Sequence, residues 1–157
     1  MLIAARCMSA ATELLKPYMV GEGGEGAAVG SAVIGTVRGD MHDIGKNLVK
    51  IMMEGSGIEV YDLGTDVSAE QFVETAVEHD CGIIACSSLL TTTMNEMRRV
   101  VSLAQEKGIR KKVRILIGGA PISQSFCDEI GADVYTEDAG AAARAAVEML
   151  KTCQNGK

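Results

Sequence analysis

The sequence predicts an α/β protein: a doubly wound, five-stranded parallel sheet with helices on both faces. Two observations carry this. Five short apolar runs rich in β-branched residues recur between residues 31 and 136, and each is followed by apolar residues at three- and four-residue spacing. Strands that alternate with helices in this way are joined by right-handed crossovers and lie parallel. A third observation places the chemistry. Gly, Ser, Thr, Asp and His cluster just after the runs, and in open parallel sheets ligands sit outside the carboxyl ends of the strands.

In chain order, residues 1–20 read as a separate N-terminal helix. It is Ala-rich over 2–19, with Ile3, Leu14, Leu15 and Met19 apolar and Pro17 ending or kinking it. Residues 21–30 hold five glycines and two glutamates and read as a flexible linker. Residues 31–157 form the sheet unit. Its first strand is 31–37, followed by a helix over 42–54 with Ile44, Leu48, Ile51 and Met52 on one stripe and Gly55 and Gly57 closing it. The second strand is 58–64. Ser68 and Gln71 form a capping box that opens a helix to about His79. Strand 82–88, helix 93–107, strand 113–119, helix 122–130, strand 132–136 and an Ala-rich helix over 138–151 complete the alternation.

Composition excludes several classes. The net charge is −6, from 15 basic and 21 acidic residues, which argues against a nucleic-acid binder. No apolar run approaches the roughly 18 residues of a membrane span, and no signal peptide is expected, so the reading is cytoplasmic. Five cysteines without a C-x-x-C pair, and only two histidines, assemble no zinc pattern and read as reduced thiols. His79 reads as a solvated helix-end histidine, the nine methionines as core filler, Cys86 as a small buried hydrophobe, and Arg98, Arg99, Arg110, Lys111 and Lys112 as solvated faces.

The sharpest cluster follows the first strand. Asp40 and His42 are two residues apart, so in an extended turn the carboxylate can reach the imidazole. A carboxylate on one ring nitrogen fixes the tautomer and leaves the other nitrogen as a metal ligand or a general base. Gly45 would let a bulky ligand lie against the start of the helix. The same Asp-x-His could instead be a helix cap followed by an exposed histidine. Ser87, at the mouth of the third strand, could hydrogen-bond Asp40. Gly118 and Gly119 permit close backbone approach after the fourth strand.

These residues resemble the cobalamin-binding domains of methionine synthase, of the corrinoid proteins of methyltransferase systems and of some mutases. Those domains carry Asp-x-His-x-x-Gly, then Ser-x-Leu, then Gly-Gly. Here the motifs are Asp40-Met41-His42-Asp43-Ile44-Gly45, Ser87-Ser88-Leu89 and Gly118-Gly119, with 41 and 28 residues between them. The resemblance covers residues 31 to about 150, and the stretches around residues 35–49 and 87–97 look most like the methyltransferase corrinoid proteins. It implies a Rossmann-like, flavodoxin-like doubly wound domain that binds cobalamin (methylcobalamin or its cob(I)alamin form) with the dimethylbenzimidazole tail detached. His42 would replace the tail below the cobalt, Asp40 would orient His42, and Ser87 would hydrogen-bond Asp40, forming a proton relay. Gly39, Met41, Asp43, Ile44, Gly45, Leu90 and Thr91 would border the corrin, and Ser87, Leu89, Gly118, Gly119 and Ala139 the tail slot.

The function implied is that of a methyl carrier, a subunit of a corrinoid-dependent methyltransferase system that is not catalytic alone. Its partners would be a substrate-specific methyltransferase, a second methyltransferase with a tetrahydrofolate or thiol acceptor, and a reductive activator. Family members carry a helical bundle before this domain, so the helix at 2–19 corresponds to a remnant of that cap and is expected to pack on a second copy, in a homodimer, or on a partner. Two alternatives are the cobalamin-binding subunit of an adenosylcobalamin mutase or a cobalamin-dependent regulator, and, from another class, a flavodoxin-like domain without corrinoid.

Overall fold

A computed structural model describes residues 28–154, together with Cys7, Ala10, Ala11 and Leu14 of the preceding segment, which are helical and exposed. The rest of the expected N-terminal helix and residues 21–27 of the expected Gly-rich linker lie outside the described residues, and Gly30, expected in the linker, opens the first strand. The elements are β1 (Gly30–Thr36), α1 (Ile44–Gly55), β2 (Ile58–Asp62), α2 (Ala69–Glu78), β3 (Ile83–Ser87), α3 (Met94–Glu106), β4 (Arg114–Gly118), α4 (Gln124–Ile130), β5 (Val134–Tyr135) and α5 (Ala139–Gln154). All pairings are parallel and the strand order is β2-β1-β3-β4-β5. Order reverses between β1 and β3, so the loops after these two strands diverge and open a crevice at their carboxyl ends.

Period-two alternation sorts the strand residues onto two cores. Val33, Val37, Ile84, Cys86, Ile115 and Ile117 face α2, α3 and α4, where Phe72, Met97, Val100 and Phe126 fill the layer. Ala32, Ile34, Ile83, Ala85 and Leu116 face α1 and α5, against Met53, Ala142, Ala143, Ala146 and Leu150. The alanines of α5 let that helix approach closely, which is why this layer is built from smaller residues than the other. Helix α2 begins at the expected capping box, with Ser68 Oγ accepting from Gln71 N–H and the Gln71 side chain accepting from Ser68 N–H.

One detail departs from the sequence reading and two add to it. Strand β5 has two residues rather than five, because Asp133 turns its carboxylate back to accept from the Ile115 N–H (2.7 Å) and the chain leaves the ladder after Thr136. His79 is exposed at the end of α2 but stacks on Tyr61 of the edge strand, ring centroids 4.0 Å apart. Arg98 and Arg99 are exposed but paired, with Glu129 and Glu70.

One charge is buried in the α1 layer. Lys46 donates to both carboxylate oxygens of Asp62 and to Asn47 Oδ1, each at 2.7 Å, with Lys50 3.5 Å from the same carboxylate. Burial pushes the Asp62 carboxyl up, but Lys46, the Gly64 N–H and Lys50 outweigh it and hold the group below its ordinary value. The pair ties the first turn of α1 to the end of β2. No helix among the described residues is long and apolar enough to cross a membrane.

Candidate functional site

The loop between β1 and α1 carries the first motif, and its shape is set by hydrogen bonds. Asp40 N–H closes a turn on the Val37 carbonyl (3.1 Å), Gly39 takes a positive φ of 83° and donates to Asp66 Oδ1 (2.8 Å), and Asp66 N–H returns to the Asp40 carbonyl (3.0 Å). Thr36 Oγ1 donates to the His42 carbonyl at 2.6 Å. The Asp40 side chain is fully buried. Its Oδ1 accepts from the His42 N–H (3.0 Å) and lies 2.8 Å from His42 Nδ1. Its Oδ2 accepts from the Leu89 N–H (2.7 Å) and from Thr93 Oγ1 (3.3 Å). The His42 ring is 53% exposed and leaves Nε2 without a protein partner among the described residues.

This geometry decides between the two readings of Asp-x-His. The residue at the cap position of α1 is Asp43, and its side chain makes no capping bond. Asp40 lies three residues earlier and spends both oxygens on the loop, the imidazole and the β3–α3 turn. A carboxylate can only accept, so in this position it would favour the tautomer with the proton on Nδ1 and leave Nε2 facing outward. Burial pushes the Asp40 carboxyl up, but the backbone N–H groups of His42 and Leu89, then the His42 ring, more than offset it and bring the group down to about 2. A carboxyl depressed in the folded state contributes stability that is full above its unfolded value, near about 3.9, and is lost as pH falls through about 2. The stability that wild type draws from the Asp40 carboxylate, absent in Asp40→Asn, should therefore persist down to about pH 4 and fade toward pH 2, narrowing the gap at the acid end. Denaturant titrations at a series of pH values check this, and a gap unchanged at the acid end refutes it.

The structure corrects the role expected of Ser87. It is not among the partners of Asp40. Ser87 shares a sheet face with Ile83 and Ala85 and lies beside the slot described below. Its neighbour Ser88 takes the opposite face, is fully buried, and lies 2.8 Å from Thr93 Oγ1. The hydroxyl that reaches Asp40 is that of Thr93. This residue stands at the cap position of α3 but makes no side-chain capping bond, so its oxygen is free to bond Asp40, Ser88 and the Leu90 carbonyl. The sequence signal for Thr93 was only its place as the last of three threonines after β3.

A slot of about 600 Å³ opens between the sheet and α1, beside the His42 loop. Strand register divides it into layers. Ile34, Ala85 and Leu116 are partners across β1, β3 and β4 and form the floor; Ser87 and Gly118 form the next layer toward the mouth. Gly45, Leu48 and Val49 of α1 line one wall, and Gly119, Thr136, Glu137, Asp138 and Ala139 the other side. An added Cβ at Gly45 would meet nothing within 4 Å, so the glycine leaves open space at the slot. At Gly119, φ is 134° and a Cβ would lie 1.7 Å from the Ser88 carbonyl oxygen, so only glycine lets the β4 and β3 loops touch. Met41 (70%), Ile44 (66%), Leu89 and Leu90 (39% each) are exposed apolar residues around His42, and Thr91 is exposed beside them. Scattered apolar residues are ordinary on a surface; four of them near one half-exposed imidazole make an apolar patch.

A larger cavity, about 860 Å³, lies at the opposite pole of the sheet among Ser31, Cys81, Lys111 and Cys153. It has no orienting carboxylate–imidazole pair, and size does not outweigh that. Burial pushes the Cys86 thiol up, consistent with an inert core residue rather than a ligand. No cluster of three or more metal-ligating side chains occurs among the described residues. An outward Nε2, an apolar apron and an adjoining apolar slot fit a large metal-bearing macrocycle with a tail.

Comparison with known proteins agrees. The B12 binding domain family matches residues 30–148. Dimethylamine corrinoid protein 1 of Methanosarcina acetivorans is 45% identical over 149 residues, 95% of this chain and 70% of that protein. Dimethylamine corrinoid protein 3 of Methanosarcina mazei is 44% identical over the same length, 89% of that protein. The structure superposes on the monomethylamine corrinoid protein of Methanosarcina barkeri with a TM-score of 0.77 at 36% identity, covering 94% of this chain and 69% of that one. It also matches a chain of the methanol:cobalamin methyltransferase complex from the same organism, at 0.77 and 30%, covering 96% and 56%. The receiver domain of a Mycobacterium tuberculosis response regulator, 14% identical with a TM-score of 0.55, covers 82% of this chain and 98% of that one and shares the fold alone.

Proposed function

The chain belongs to the B12-binding domain family, its cofactor is a corrinoid, and from this premise we propose that it carries a methyl group between methyltransferases. The observation that supports this most is the Asp40–His42 pair with Nε2 outward beside the slot. In this reading His42 would hold the cobalt, the slot would hold the cofactor's detached dimethylbenzimidazole base, and residues 31–157 are the cobalamin-binding unit. When bound, the corrinoid supplies a cobalt that accepts a methyl group from one partner and gives it up to another.

The protein's share is to bind, orient and shelter. Asp40 fixes the imidazole plane through Nδ1, and Leu89 N–H and Thr93 hold Asp40. Nε2 would be the atom that holds the metal, with the Asp40 carboxylate at the other ring nitrogen. Thr93 and Ser88 take the place assigned to Ser87 at the inner end of this chain. Gly39, Met41, Asp43, Ile44, Leu90 and Thr91 border the macrocycle; Ser87, Leu89, Gly118, Gly119 and Ala139 border the tail.

Dimethylamine and monomethylamine corrinoid proteins match at 36–45% identity, against 30% for the methanol complex, which favours the carrier over a mutase subunit or a regulator. By the same likeness the methyl donor is a methylamine and the donor-side partner its methyltransferase. A tetrahydrofolate- or thiol-specific methyltransferase would take the methyl group on, and a reductive activator would restore the cofactor. The test is reconstitution with hydroxocobalamin followed by gel filtration, then methylation of the reduced cofactor by dimethylamine and a dimethylamine methyltransferase. One retained cobalamin per chain, and methylation that depends on this protein, are expected. Failure to retain cobalamin refutes the binding reading; retention without methylation by any methylamine refutes the donor assignment.

A further inference from the structure

The slot distinguishes its layers chemically. The floor residues Ile34, Ala85 and Leu116 carry no donor or acceptor, and their backbone groups belong to the β1–β3–β4 ladder. Leu48 and Val49 close the wall above them. Cys86 and Tyr135 also border the cavity, but both belong to the core on the other face of the sheet. Lys46 is the single cation on the lining, and its ammonium is occupied by the two Asp62 oxygens and Asn47. The free hydroxyl groups, those of Ser87 and Thr136, stand nearer the mouth: Ser87 one layer above the floor, Thr136 beyond the end of β5.

A lower base that reaches this floor must present an edge that needs no hydrogen bond. Dimethylbenzimidazole presents two methyl groups there. A purine presents ring nitrogens and an exocyclic amino group, which would leave water without a partner in the protein. We propose that the slot selects among corrinoids by their lower base, taking the dimethylbenzimidazole form and rejecting the purine form, with Ile34, Ala85 and Leu116 as the specificity-determining residues. The inference rests on the tail-in-slot reading above.

Three probes separate the two claims: cobalamin, its analogue with adenine as lower base, and cobinamide, which has no base. Each is titrated into the full chain, with affinity read from the visible spectrum. Cobalamin is expected to bind at least about tenfold more tightly than the adenine form, the ratio that one or two unmade hydrogen bonds produce. The intrinsic bias runs the other way, since adenine is the weaker cobalt ligand and costs less to detach. Ala85→Ser places a hydroxyl on the floor and should narrow the ratio. Equal affinity for cobalamin and the adenine form, with both tighter than cobinamide, overturns the selectivity but leaves the tail in the slot. Equal affinity for cobalamin and cobinamide overturns the tail-in-slot reading and the inference with it.

Discussion

His42→Ala will bind hydroxocobalamin at least about tenfold more weakly than wild type, and the cofactor it holds will show a changed visible spectrum. The size follows from what is removed. Loss of a residue that merely orients a metal ligand costs about 10- to 100-fold in affinity, and loss of the ligand itself costs no less. The change in spectrum follows because no other imidazole or thiol lies in the loop: Cys86 faces the opposite core, and His79 stacks on Tyr61 at the β2 edge. The cofactor-free variant should still fold, losing no more than about 1.5–3 kcal/mol, since the ring is half-exposed and its one partner, Asp40, keeps three other donors. Spectral titration and a denaturant curve on the same preparation check both statements. Unchanged spectra would mean that the imidazole is not the axial ligand.

Gly119→Ala will destabilise the protein by more than about 3 kcal/mol, or prevent folding. The clash is with a backbone oxygen, not with a side chain that could turn away. The Ser88 carbonyl would lie 1.7 Å from the new carbon, and the backbone at 119 sits at a φ that side chains rarely adopt. Ser88 cannot yield cheaply. Its N–H bonds the Gly118 carbonyl, its hydroxyl meets Thr93, and the next residue donates the N–H that holds Asp40. Any folded product should therefore also bind cobalamin poorly. Gly45→Ala is the contrast. With nothing within 4 Å of the added carbon it should stabilise α1 by about 0.5–1 kcal/mol while narrowing the slot. A Gly119→Ala variant within 1 kcal/mol of wild type would show that the two loops can separate.

Much of this was legible in the sequence, for identifiable reasons. Alternation and capping residues located every described strand and helix, because each element carries its own periodic signal, as at Ser68 and Gln71. Asp40 and His42 were legible because their contact is local, two residues apart. The partner of Asp40 was not. In a strand a shift of one residue reverses the face, so Ser87 and Ser88 are equivalent on paper and opposite in space. Thr93 was hidden by its position, where a threonine is ordinarily read as a helix cap. The Lys46–Asp62 pair joins α1 to β2 across sixteen residues, a separation at which sequence spacing says nothing.

Helix α1 carries both halves of the site. His42 stands just before its first turn, while Gly45, Leu48 and Val49 along it form a wall of the slot, and Lys46 locks that turn to β2. On the proposed reading, with the base in the slot and His42 on the cobalt, tail binding and axial ligation would be linked equilibria acting on one rigid body. Whatever factor a seated tail contributes to holding the imidazole on cobalt, the ligated imidazole returns to the tail. A variant without the His42 imidazole would then hold the base less firmly in its slot by the same factor, and a corrinoid without a tail would be held less firmly at its metal.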